Sequence, residues 1–224
     1  MEEADTTPRD CKPFLAALLE HLDDNRQFPK YQYERRIDAF VSFFLRDVLT
    51  AKGIITKGDV QIPEFPIDAE YNSSNLSKNV DYFVFDASQS LGCFVELKTD
   101  HSSCDFSQLE TYARAFGKPW LSLNEDIEQM RKASDKKQKY RALQDRLSAC
   151  PECTTMKLVY IAPEESRRSF DNFLADNERP NPSLVSTASW SFLSLTEFAG
   201  AKIEGCYQDE WSVVHPYITR IDTA

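Results

Sequence analysis

Three charged residues stand in an otherwise apolar hairpin: in NVDYFVFDASQSLGCFVELKTD, residues 79–100, Asp81, Glu96 and Lys98 interrupt a run of aromatic and aliphatic side chains. Charge inside a sheet is costly unless it is paired or binds a metal. Strand alternation puts Glu96 and Lys98 on one face, and a turn centred between Ser88 and Leu91 would set Asp81 opposite Lys98. All three would then converge on one patch. Two carboxylates from neighbouring strands can hold a hard cation such as Mg²⁺, with a backbone carbonyl and waters completing an octahedral shell. Such an ion lowers the pKa of a bound water and neutralises charge building on a phosphate. A lysine beside it can orient or deprotonate that water, or stabilise the developing negative charge. Hydrolysis of a phosphodiester fits this set. The plainer alternative is an ion pair at a solvated sheet edge, Lys98 with Asp81 or Glu96. An acid-x-Lys triplet is weak by itself: Asp10-Lys12 and Asp135-Lys137 repeat it, but only Glu96-Lys98 lies in an apolar strand.

The elements that must position this hairpin are legible from period and punctuation. DCKPFLAALLEHLD reads as a short helix with Pro13 in its first turn. In KYQYERRIDAFVSFFLRDVLTAKG, Ile37, Phe40, Val41, Phe44 and Val48 recur at helical spacing up to Gly53. QIPEFPI reads as a strand or extended edge limited by Pro63 and Pro66, and YNSSNLSKN as a polar loop. The hairpin VDYFVFD-ASQSLG-CFVELKT follows, then a helix over DFSQLETYARAFG with Asp105 as its N-cap and Gly117 as its end. Residues 123–149 read as a long polar helix or helix pair, and MKLVYIAP, EESRRSFDNFLADN and SWSFLSL as strand, helix and strand. This order predicts an α/β fold, a central mixed sheet flanked by helices, in one domain over 1–224.

Asp81 followed by Glu96-Leu97-Lys98 resembles the PD-(D/E)XK nuclease signature. Gln108 and Tyr112 in FSQLETY extend the resemblance, matching the Q-x-x-x-Y element of the RecB-like and lambda-exonuclease-like branch. The same spacing recurs from Gln27 to Tyr31, but only Gln108 and Tyr112 follow the Glu-x-Lys strand on a helix, where side chains one turn apart point the same way. The acid that this branch takes from the helix before the sheet is best matched by Glu34, beside the Ile37–Val41 stripe, with Glu20 as the fallback. Val80 stands where the family carries its name-giving proline, and no glycine accompanies Glu34.

The resemblance implies a restriction-endonuclease-like core over about 30–117 and 155–200, with a helical insertion at about 119–150. It implies a Mg²⁺- or Mn²⁺-dependent deoxyribonuclease in which Asp81, Glu96 and the Leu97 carbonyl ligate the metal and Lys98 positions the attacking water. Glu34 would reach a metal directly or through water, and Gln108 and Tyr112 would orient Lys98 or the phosphate. The alternative from another class is a catalytically inactive nuclease-fold protein acting as a protein-binding module in a defence or mobile-element system, with a protein partner or a second copy bound.

Composition narrows the remaining classes. A formal net charge of −10 supplies no global attraction for nucleic acid, so a polyanion must be held by metal ions or a local basic patch. MRKASDKKQKYRALQDR is that patch, with Lys132, Lys136 and Lys139 expected on one helical face, and Arg167 with Arg168 a weaker second choice. A solvated helix face is the competing reading. No apolar run of about 18 residues spans a membrane, and the acidic start is unlike a signal peptide, so the expected location is cytoplasmic, with reduced cysteines. Cys150-Pro-Glu-Cys153 is half a metal site without a second pair. His21, His101 and His215 are isolated, His101 lying near enough to Lys98 to line its site although an ordinary loop histidine is the simpler reading. Neither a Gly-x-Ser-x-Gly nor a GxxxxGK(S/T) motif is present, which counts against acyl transfer and self-powered ATP hydrolysis.

Overall fold

A computed structural model describes residues 11–25, 33–67, 79–116, 120–150, 152–178 and 188–222. Five strands form one sheet in sequence order: β1 (Val60–Pro66), β2 (Asn79–Asp86), β3 (Leu91–Leu97), β4 (Thr155–Ala162) and β5 (Ala188–Ser194). The first two pairings are antiparallel and the last two parallel, so the sheet is mixed. Helices cover both faces, which is why β2, β3 and β4 read as near-continuous apolar runs.

On one face, α1 (Lys12–Asp24), α2 (Tyr33–Ala51), α7 (Leu195–Ala199) and α8 (Gln208–Asp222) enclose a core with Tyr82, Val84, Cys93, Val95 and Val159 of the sheet. The predicted α2 stripe is its spine: Ile37, Val41, Phe44 and Val48 are buried, and the helix stops before Gly53, whose φ of 67° suits glycine. On the other face, α3 (Ser107–Phe116), α4 (Trp120–Ala133), α5 (Lys137–Leu147) and α6 (Arg167–Glu178) pack on Phe83, Phe85, Phe94 and Leu158. Where an insertion is expected, the chain forms the helix pair α4–α5 as part of this layer: Trp120 stacks on Phe83 with centroids 5.5 Å apart, and Leu123, Ile127 and Leu147 are buried.

The hairpin closes two residues out of the expected register. Asp86 pairs with Leu91 and Tyr82 with Val95, so Asp81 lies beside Glu96 rather than Lys98. Asp86 sets this turn: its buried carboxylate accepts the Ser88 N–H (2.9 Å) and O–H (2.6 Å) and the N–H groups of Thr56 (2.6 Å) and Lys57 (3.0 Å). Because strand side chains alternate with period two, a two-residue shift changes partners and preserves faces. The loop at 71–78 lies outside the described residues, as does the Gln27–Tyr31 spacing.

Candidate active site

The β2–β3 ladder ends at Tyr82–Val95, whereas β3 stays joined to β4 through Leu97–Ile161 and the Lys98 N–H bonded to the Ile161 carbonyl at 2.8 Å. β2 therefore parts from β3 at Asp81, and the two strands form a fork. Asp81 Oδ2 accepts the Leu97 N–H at 2.6 Å, taking the place of a backbone carbonyl. A strand residue turns its N–H and C=O to the same neighbour, so the Leu97 carbonyl also opens into the fork.

Glu96, only 3% exposed, is held at both oxygens. Lys98 Nζ lies 2.7 Å from Oε1, and the Tyr112 hydroxyl donates to Oε2 at 2.9 Å. Tyr112 comes from α3, whose Leu109, Tyr112 and Ala115 face the sheet. Gln108, one turn earlier, is half-buried on the same helix. The structure brings Asp81, Glu96 and Lys98 together at the fork, and places Tyr112, expected to orient Lys98 or the phosphate, against Glu96.

Glu34 is half-buried at the first turn of α2, and its charge acts on Asp81 and Lys98. Asp38, one turn on, accepts the Tyr82 hydroxyl, and burial together with Glu64 and Glu34 holds its carboxyl above the usual range. Glu64 stands opposite Asp81 in the β1–β2 register with a φ of 50°. Asp38 and Glu64 carry no spacing signal in the sequence; the packing of α2 on Tyr82 brings the first here and the β1–β2 register the second. Glu20, the fallback acid, is engaged elsewhere, accepting the Tyr217 hydroxyl at 2.9 Å.

Crowding sets the protonation of the group. Burial, then the Glu96 charge, raises the Asp81 pKa, with the Leu97 N–H and Lys98 opposing. Burial raises Glu96 as well, against the ion pair with Lys98 and the Tyr112 hydrogen bond. For Lys98, burial pulls the pKa down, but Glu96, Asp81 and Glu34 outweigh it and leave the ammonium above its ordinary value. Burial and Glu96 also push Tyr112 upward, so it remains a donor. Lys98, paired with Glu96 Oε1, is placed to orient water or stabilise developing charge.

Among the described residues no three His, Cys, Asp or Glu side chains converge as a ready-made metal cage. The fork offers two carboxylates and a backbone carbonyl, all hard oxygen donors, and the mutual repulsion that raises Asp81 is what a divalent cation would relieve. The donor set fits Mg²⁺ or Mn²⁺ completed by water.

Other expectations fare differently. Lys132 lies on α4, Lys139 on α5 and Lys136 in the turn between them, so they share no single helical face; the Ser134-Asp135 break divides it. Arg167 is committed to Glu164 and Glu197 at 2.6 and 2.5 Å. Cys150 and Cys153 are buried thiols that burial pushes up to about 11 and about 12, and Cys153 packs on Gly92, where an added Cβ would meet its sulfur at 2.6 Å. A cavity of about 840 Å³ opens outside β1, lined by Phe43, Arg46, Gln61, Arg146 and Tyr207 among others, and none of the fork residues lines it. Among the described residues no helix is long and apolar enough to cross a membrane.

No family model matches the chain, no curated protein matches its sequence, and no solved structure matches its fold.

Proposed function

We propose that the chain is a metal-dependent nuclease that hydrolyses DNA phosphodiester bonds by a PD-(D/E)XK mechanism on a restriction-endonuclease-like core. The observation that carries this reading is the fork, where Asp81, Glu96 and Lys98 meet and Tyr112 of the following helix donates to Glu96. Asp81, Glu96 and the Leu97 carbonyl would hold Mg²⁺ or Mn²⁺, with Glu34 behind them. Bound there, the ion supplies Lewis acidity and lowers the pKa of a coordinated water. Lys98 orients the attacking water and stabilises charge on the phosphate, Tyr112 fixes Glu96, and Gln108 lies one turn away to contact the phosphate.

The test is cleavage of single-stranded, double-stranded and branched DNA with Mg²⁺ or Mn²⁺, beside calorimetric titration of the metal. Wild type should bind metal and cut, whereas Lys98→Ala should bind without cutting. A specific observation also favours a non-catalytic, protein-binding role: Lys98 already neutralises Glu96, and the Leu97 N–H already satisfies Asp81. Under that reading wild type neither binds the metal nor cuts.

A further inference from the structure

The parallel register of β3 and β4 brings the segments after them, 98–104 and 163–166, to the same end of the sheet as the fork. His101 lies there, three residues beyond Lys98 and so within a chain span of about 10 Å. Its imidazole is fixed from below: Nδ1 is 2.8 Å from the hydroxyl of Ser166, which is 0% exposed, and that hydroxyl is 3.2 Å from Cys104 Sγ. Asp100 holds the turn, its carboxylate accepting the Ser102 N–H at 2.7 Å and its carbonyl the Ser103 hydroxyl at 2.7 Å.

The direction of this chain follows from its far end. The Asp100 carbonyl can only accept, so the Cys104 thiol donates to it, at 3.7 Å. The Cys104 sulfur then has a lone pair for the Ser166 O–H, and Ser166 Oγ in turn accepts from His101 Nδ1–H. With the chain assigned in this direction, His101 carries its proton on Nδ1 and a lone pair on Nε2. His101 is exposed while Nδ1 points at a buried serine, so Nε2 is the nitrogen turned to solvent.

The fork lacks such a group. Lys98 Nζ is held by Glu96 Oε1 at 2.7 Å, the other Glu96 oxygen by the Tyr112 hydroxyl at 2.9 Å, and Asp81 Oδ2 by the Leu97 N–H at 2.6 Å. We propose that His101 is the general base of the reaction, an assignment that rests on the nuclease reading. Nε2 takes a proton from the attacking water as its oxygen bonds to phosphorus. The bond from phosphorus to the bridging oxygen of the leaving nucleoside breaks, and that oxygen takes a proton from solvent. Nε2 then returns its proton to solvent.

The experiment compares wild type, His101→Gln, His101→Gly and Ser166→Ala on two oligonucleotides in Mn²⁺, one with the normal bridging oxygen and one with sulfur in its place. A sulfur leaving group needs no proton. His101→Gln and His101→Gly should lose about 10²-fold in kcat, equally on both substrates, with the fold intact by circular dichroism. Added imidazole should restore activity to His101→Gly alone. Ser166→Ala, which keeps the imidazole but frees it to turn, should lose about tenfold without responding to imidazole. Wild-type rates in His101→Gln, a defect that vanishes with the sulfur substrate, or no imidazole rescue would each overturn the assignment alone. A wild type that cleaves neither substrate overturns the nuclease reading and the assignment with it.

Discussion

Tyr112 Oη donates to Glu96 Oε2 at 2.9 Å, joining the helix after the hairpin to the acid at the centre of the fork. Tyr112→Phe deletes one donor and leaves a buried carboxylate oxygen short of a partner. We expect a loss of about 1–2 kcal/mol in urea denaturation and about tenfold in DNA cleavage, with the fold intact by circular dichroism. A variant as stable and active as wild type would deny the hydroxyl any role.

Lys98 and a divalent cation compete for Glu96. Lys98→Met keeps the apolar stem and removes the charge, so Mn²⁺ affinity by calorimetry should tighten about tenfold, a fraction of the Coulomb energy available at this separation. Cleavage should fall about 10²–10³-fold. Weaker metal binding in Lys98→Met would mean that the lysine supports the ion rather than displacing it.

Burial and Glu96 raise the Asp81 pKa, so ionised Asp81 is disfavoured in the folded chain. For a raised carboxylate, stability is full below the unfolded value of about 3.9 and declines as pH climbs from there to the folded value. Asp81→Asn removes that decline and can still accept the Leu97 N–H. In metal-free buffer at neutral pH its melting temperature should rise by roughly 2–4 °C, while cleavage is abolished. A lower melting temperature would show that the charge stabilises the fork.

Asp86 carries the opposite sign. Burial alone would raise its pKa, but the Ser88 hydroxyl and the Lys57, Thr56 and Ser88 N–H groups together bring it below the usual carboxylate value. Its stabilisation is therefore complete above the unfolded pKa of about 3.9 and is lost as pH falls through the lower folded value. Asp86→Asn turns one acceptor into a donor facing donors and should lose about 2 kcal/mol at pH 7. The gap from wild type in urea midpoint should shrink as pH is lowered below about 4; a gap independent of pH would contradict the assignment.

Much of this arrangement was legible in the sequence because period-two alternation binds Glu96 to Lys98 and helical spacing binds Gln108 to Tyr112, whatever the register. The partner of Asp81 was not, since it depends on the turn that Asp86 closes with Thr56 and Lys57, some thirty residues away in the chain. The basic face over Lys132, Lys136 and Lys139 failed for a local reason, the break at Ser134 and Asp135. α8 was hidden by Pro216 within it, although Trp211, Val214, Ile218 and Ile221 recur at helical intervals and are buried. Ser166 and Cys104 lie too far apart in the chain for any spacing rule to link them, and only the parallel β3–β4 register does so.

The Leu97 amide is bonded to the Asp81 carboxylate, and this gives the protein an internal gauge. The nitrogen and proton resonances of that single amide answer directly to whatever charge sits on its acceptor. Protonation at the fork, or an ion arriving there, is thus written into the spectrum of one backbone amide.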